Sequence, residues 1–126
     1  MPDLISMTLA EARDAIQAKT ISSRELTGAF VKAIEAGRPL NAYITEAGEQ
    51  AMLMADASDR RIALASKEGG EVGALEGLPL AIKDLFCTKG VRTTAASKIL
   101  GNFVPPYEST VTQNLWDAGA VMLGKT

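Results

Sequence analysis

The sequence predicts an α/β class, with a helical N-terminal half followed by the first strands of a mixed sheet. Three observations carry this. Capping-box signatures open helical patterns at Thr8 and Ser22. Residues 78–83 form a short apolar run of strand type. A helical pattern beginning at Ser109 passes through Gly119 into the apolar run 120–123, and strand, helix, strand at this spacing is a βαβ-like unit.

Taken in order, Thr8 is followed three residues later by Glu11, a pairing in which side chains and backbone satisfy each other's unpaired groups. Leu9, Ala12 and Ile16 then recur at helical spacing. Ser22 and Glu25 repeat the device, with Leu26, Ala29, Phe30, Ala33 and Ile34 on one face and a stop at Gly37 before Pro39. Residues 40–45 read as a short strand or extended link. A third helix is expected over about 46–66, rich in Ala, Met and Leu, with Asp56, Asp59, Arg60 and Arg61 on its wet side. The glycine-rich stretch 67–73 should be an exposed loop. Pro79 confines the next strand to an edge or to starting there. Residues 91–100 are polar and threonine-rich, and 102–107, with Pro105 and Pro106, read as loop. In the last helix, 110–118, Val111, Leu115 and Trp116 form the expected apolar side.

Composition excludes more than it identifies. The chain has 126 residues, 47% hydrophobic and 22% charged, as an ordinary globular domain would. Thirteen Lys plus Arg against fifteen Asp plus Glu leave a net charge of −2. No basic footprint for phosphate backbones or anionic lipid follows, so neither nucleic-acid nor membrane binding is expected of this segment. There is no histidine, and Cys87 is the single cysteine. A Ser-His-Asp or Cys-His nucleophile system, a Cys/His zinc cluster and an intrachain disulfide are thereby excluded within these residues. Acid–base chemistry near neutral pH must fall to a lysine or a carboxylate. The N-terminus lacks a basic leader segment, and the free cysteine suits a reducing, cytoplasmic setting. The final apolar strand runs directly into Gly124, Lys125 and Thr126, where an α/β domain would continue into a helix; the expectation is the front of something larger.

Four places invite a chemical reading. Residues 119–126 fit the G-x-x-x-x-G-K-[ST] pattern of a phosphate-binding loop. That pattern needs a loop between strand and helix, whereas here the middle residues are strand-like and a helix precedes them. It is read as a helix stop and a core strand. Lys83 ends an apolar strand and should share a face with Ala81, with Asp84 on the other face if the strand continues. Taken from these residues alone, a solvated lysine at a strand end is the default account. Cys87, beside Leu85 and Phe86, reads as a small buried hydrophobe. Thr93, Thr94 and Ser97 read as loop hydrogen-bonding residues.

The segment Leu75-Glu76-Gly77-Leu78-Pro79-Leu80-Ala81-Ile82-Lys83-Asp84 resembles the start of the amidase signature family, whose Gly-(Leu/Ile/Val)-Pro-x-x-(Ile/Val)-Lys-Asp segment carries the catalytic lysine. Residues 88–100, 102–111 and 115–126 are similar to the A-subunit branch of that family, from the glutamyl-tRNA(Gln)/aspartyl-tRNA(Asn) amidotransferases. The two N-terminal helices and residues 40–43 are in keeping.

The resemblance implies the N-terminal portion of an α/β/α amidase fold: one domain fragment, 1–126, with a helical region 1–66 and the start of the sheet core at 74–126. It implies a Ser-Ser-Lys triad in which Lys83 is the general base, its charge suppressed by burial. Both serines and the oxyanion loop would follow Thr126, and Ser97 is the counterpart of neither. The implied activity is glutamine hydrolysis through an acyl-enzyme. The ammonia passes to a partner subunit that activates tRNA-bound glutamate or aspartate with ATP and magnesium, and the B and C subunits complete the complex. This chain itself would hold no cofactor or metal and would be inert alone. Another amidase acting on a different small amide, or a non-enzymatic interaction fragment, are the alternatives. A Gly-Gly-Ser-Ser-Gly-Gly-like segment beyond Thr126 would decide for the family.

Overall fold

The computed structural model describes residues 3–126. The reading of the N-terminus as lacking a leader falls partly on residues 1 and 2, outside that range. Both capping boxes form. Thr8 accepts from the Glu11 N–H, while the Glu11 carboxylate accepts from the Thr8 N–H at 2.8 Å; α1 follows as Leu9–Gln17. Ser22 and Glu25 repeat the geometry ahead of α2, Ser23–Ala36, which ends at Gly37. The stretch expected to be extended at 40–45 is mostly something else. Pro39 favours a 3-10 turn over Arg38–Leu40, closed by Asn41 in a left-handed conformation. Only Thr45–Glu46 is strand, β1.

Because Thr45 and Glu46 are held in that strand, α3 begins two residues later than expected, as Gly48–Glu68. Its buried line is Ala51, Ala55 and Ser58; Leu53 and Leu64 are exposed. Part of the expected wet side is engaged. Asp59 accepts from the Ser23 and Arg24 N–H groups at 2.8 and 3.0 Å, and Asp56 pairs with Arg24. A carboxylate of α3 thus sits on the positive end of α2, which fixes how the two helices pack. No helix among the described residues is long and apolar enough to cross a membrane.

Three strands make the sheet, in the order β1-β3-β2. Strand β2, Pro79–Ile82, starts with its proline on an edge, and helix α4, Thr110–Asp117, is capped by Ser109. Strand β3, Val121–Lys125, runs parallel to β2 and antiparallel to β1. The helical face of α4 differs from expectation: Val111 is exposed and Thr112 is buried, while Leu115 and Trp116 pack against the sheet. The Thr112 hydroxyl donates to Glu108, so this polar side chain is satisfied where a valine would have been expected. On the first two helices Leu9 is likewise exposed, and Ser23 and Thr27 join Leu26 in the buried set.

Helices α2 and α3 cover one face of β3, where Ala51, Ala55, Val121 and Leu123 pack. The other face holds Ile82, Val91 and Met122, closed by Leu115, Trp116 and Phe86. A register irregularity decides which side the end of β3 presents. Pro79 pairs with Val121 and Leu80 with Met122, but Ala81 pairs with Gly124 and Ile82 with Lys125. Leu123 is therefore an extra residue, a bulge, and the strand after it changes face.

Candidate functional site

The two strand ends lie side by side, and the site is built on them. Lys83 follows the last residue of β2. Its neighbours are clamped by a single residue of the adjacent strand: Thr126 donates to the Ile82 carbonyl at 2.8 Å and accepts from the Asp84 N–H at 2.7 Å. The Lys83 carbonyl accepts from the Phe86 N–H at 3.1 Å, which closes a turn. Ile82 and Asp84 are buried while Ala81 and Lys83 are exposed, so the alternation predicted for a strand end holds. The expectation that Lys83 is buried is not met by these residues: its side chain is open to solvent. What is present is a backbone, hydrogen-bonded on both sides of Lys83, that places this residue with Ala81 on the solvent-exposed side of the end of β2.

Below that face lies a polar cluster that pattern reading did not find. Lys125 is wholly buried. Its ammonium donates to the Phe86 carbonyl at 2.9 Å, to Thr88 Oγ1 at 3.1 Å and to Thr93 Oγ1 at 2.8 Å. Three donors meet three acceptors, and Asp84 Oδ1 lies 3.6 Å away as counter-charge. Asp84, 2% exposed, accepts through Oδ2 from the Thr94 N–H at 3.1 Å and from the Thr94 hydroxyl. Burial pushes the Lys125 ammonium below the ordinary lysine value, and the Asp84 charge pulls it back.

Lys125 reaches this pocket because of the bulge at Leu123. Without it, strict alternation would send Lys125 to the helix side with Leu123. Gly124 permits the crossing: a Cβ there would stand 2.4 Å from the Thr45 carbonyl oxygen and 2.9 Å from the Tyr43 ring. The phosphate-loop pattern is accordingly spent on structure. Its middle residues are strand, and its lysine has no donor left for a ligand.

Thr93 and Thr94 make the expected loop hydrogen bonds, to the Val91 carbonyl and from the Ala96 N–H, and in addition bind the buried lysine and aspartate. Ser97 caps the short turn Lys98–Leu100. Cys87 is half-buried rather than buried, with its sulfur 3.6 Å from the Tyr107 hydroxyl, and its hydrogen bond and charge interaction with the phenol raise the Tyr107 pKa above its ordinary value. Among the described residues no cluster of three His, Cys, Asp or Glu side chains could hold a metal ion.

The family model described as Amidase matches residues 25–126. The A subunit of the glutamyl-tRNA(Gln) amidotransferase of Hyphomonas neptunium is 64% identical over 125 residues, 99% of this chain and 24% of that protein. The chain thus spans about a quarter of the length of the curated relatives it matches. Among solved structures, the peptide amidase of Stenotrophomonas maltophilia superposes with a TM-score of 0.84 at 31% identity, over 96% of this chain and 24% of that one. A bacterial aryl acylamidase of the amidase signature family gives 0.82 at 30%, over 95% and 25%.

Proposed function

The chain belongs to the amidase family, and from that premise we propose that it is the base-bearing part of the A subunit of a tRNA-dependent amidotransferase. The observation that carries this reading is the 64% identity to the A subunit of a glutamyl-tRNA(Gln) amidotransferase along 99% of the chain. Solved amidases that share the fold stand at about half that identity. The A-subunit branch is therefore favoured over an amidase acting on another small amide.

In this reading Lys83 is the general base. A lysine serves as a base only when unprotonated, and its position suits that need. It projects from the exposed face of β2, whereas the Asp84 carboxylate points to the opposite, buried side and has Lys125 as its own partner. The carboxylate is thus not free to hold Lys83 charged. Covering the open face with further chain would supply the desolvation that these residues lack. The proton of a bridging serine passes to Lys83, the bridging serine deprotonates the nucleophilic serine, and the resulting alkoxide attacks the carboxamide of glutamine. The proton returns from Lys83 through the bridging serine to the leaving nitrogen, which departs as ammonia, and water activated by the same route hydrolyses the acyl-enzyme to glutamate. Both serines are placed beyond residue 126. Ammonia released by acylation is consumed by a partner subunit that uses ATP and magnesium to activate tRNA-bound glutamate or aspartate. A complex with B and C subunits, working in the cytoplasm, completes the proposal.

The test joins residues 1–126 to the remaining three quarters of the Hyphomonas neptunium A subunit and measures ammonia release from glutamine. Turnover in the parent and a loss of about a thousandfold in Lys83→Ala are expected for removal of a base that also orients its partner. A Lys83→Ala chimera with parental turnover would end this reading.

A further inference from the structure

The amidase reading uses Lys83 and leaves Lys125 without a task. We propose that Lys125 is a positioning residue for Lys83, acting through the turn that Lys83 begins; the proposal rests on Lys83 being the base. The connection is two hydrogen bonds long. The Lys125 ammonium donates to the carbonyl of Phe86, and the N–H of Phe86 donates to the carbonyl of Lys83. One peptide unit on each side of Phe86 is therefore held, the far one by a buried charge and the near one by Lys83 itself.

The same ammonium gathers the rest of the loop. Through Thr88 and Thr93 it ties down the return of the chain, and Thr94 beside them binds Asp84, the residue next to Lys83. Thr126, one residue after Lys125, brackets Lys83 from the backbone side. Much of what fixes the direction of Lys83 thus comes from Lys125, Thr126 and groups that Lys125 binds, with Thr94 and Ala95 adding hydrogen bonds to Asp84.

A purely structural explanation accounts less well for the arrangement. Apolar residues of similar volume at both Lys125 and Asp84 would fill the space without the cost of burying two charges, and replacing a whole buried pair in this way is often neutral or stabilising. An apolar residue could neither engage Phe86, Thr88 and Thr93 nor balance the Asp84 charge, as the Lys125 ammonium does. Its contacts all bear on the loop that starts at Lys83, and none on helices α1 to α3.

The experiment uses the same chimera, with kcat expressed per active site titrated by a covalent acylating inhibitor, so that loss of folded enzyme does not enter. Lys125→Met is expected to lower kcat by about tenfold to a hundredfold, the scale of a misplacement near 1 Å at a reacting group. KM for glutamine should change by less than about threefold, since binding is not addressed. Thr93→Val removes one of the ammonium's three acceptors and should lower kcat in the same direction by a smaller factor. If Lys125→Met yields no titratable sites, Thr93→Val decides. Parental kcat per site in either titratable variant overturns the proposal, as does a change confined to KM. The outcome stays separate from that of the amidase reading, because Lys83→Ala in the same chimera tests that reading alone.

Discussion

Removing the Lys125 ammonium should cost stability mainly through what it leaves behind. In Lys125→Met the Thr88 and Thr93 hydroxyls keep each other at 3.3 Å and keep the Val91 carbonyl, so neither is stranded. The Phe86 carbonyl loses its ammonium donor, and Asp84 becomes a buried carboxylate without a counter-charge. Breaking a buried pair from one side typically costs about 3–5 kcal/mol, most of it the uncompensated charge. Asp84→Asn should cost less, because its side-chain oxygen still accepts from Thr94 and the lysine retains three acceptors. In the double variant no buried charge remains. The two losses should then fail to add by about 1–3 kcal/mol, the range seen for residues in one network. Urea unfolding at neutral pH, followed by the fluorescence of Trp116, the only tryptophan, measures all four corners of this cycle. Additivity within about 0.5 kcal/mol, the scatter of independent sites, would refute the coupling.

Gly124→Ala should destabilise the chain by about 1–3 kcal/mol, the usual range for overpacking. It should also speed hydrogen exchange at the Ile44 and Ala47 amides, which bond to Lys125 and Leu123 across that strand. The capping boxes hold Glu11 and Glu25 below the ordinary carboxylate value, chiefly through the Thr8 and Ser22 N–H groups. A depressed carboxylate contributes stability that is present above its unfolded pKa and lost as pH falls through the folded one. The decline in stability on acidification should therefore flatten in a Glu11→Gln, Glu25→Gln double variant, as read by denaturation at several pH values. Lys83→Ala, at an exposed position, should leave stability within about 0.5 kcal/mol while lowering chimera turnover about a thousandfold, which separates the proposed base from the scaffold.

The elements were legible wherever one local rule acted alone. Thr8 with Glu11 and Ser22 with Glu25 announce helix starts because the cap is made within four residues. Pro79 announces an edge because it lacks an N–H. The failures share a different cause, since each depends on a partner far along the chain. Thr112 is buried and Val111 exposed because α4 turns Thr112 toward Glu108 and the Cys87 carbonyl, a choice that apolar spacing does not encode. Residues 40–45 read as extended, yet of these only Thr45, paired with Lys125 of β3, becomes strand. Lys125 was hidden most thoroughly. Its motif resembles a phosphate loop, and the apolar strand read from the sequence ends at residue 123, before it. Only the extra residue at Leu123, visible once β2 and β3 are in register, turns it toward Asp84. The one signal available was a glycine directly before a lysine at the end of an apolar strand.

Two lysines at the ends of adjacent parallel strands therefore stand in opposite conditions, one exposed and one buried, and the contrast suits the role proposed for Lys83. Residues just past a strand lose the ladder that held them, so a side chain placed there is directed only if the following turn is fixed. In this chain the turn after β2 is fixed by a charge from the end of β3. The charge is tolerable because Asp84 and three oxygen acceptors surround it. The same aspartate, occupied with Lys125 and Thr94, is withdrawn from Lys83, its immediate neighbour. Exchanging the two environments would defeat both residues: a base enclosed among three acceptors and a carboxylate could not reach a serine, and an anchor open to water would hold nothing. The bulge at Leu123 keeps the two apart by sending Lys125 beneath the sheet face from which Lys83 projects.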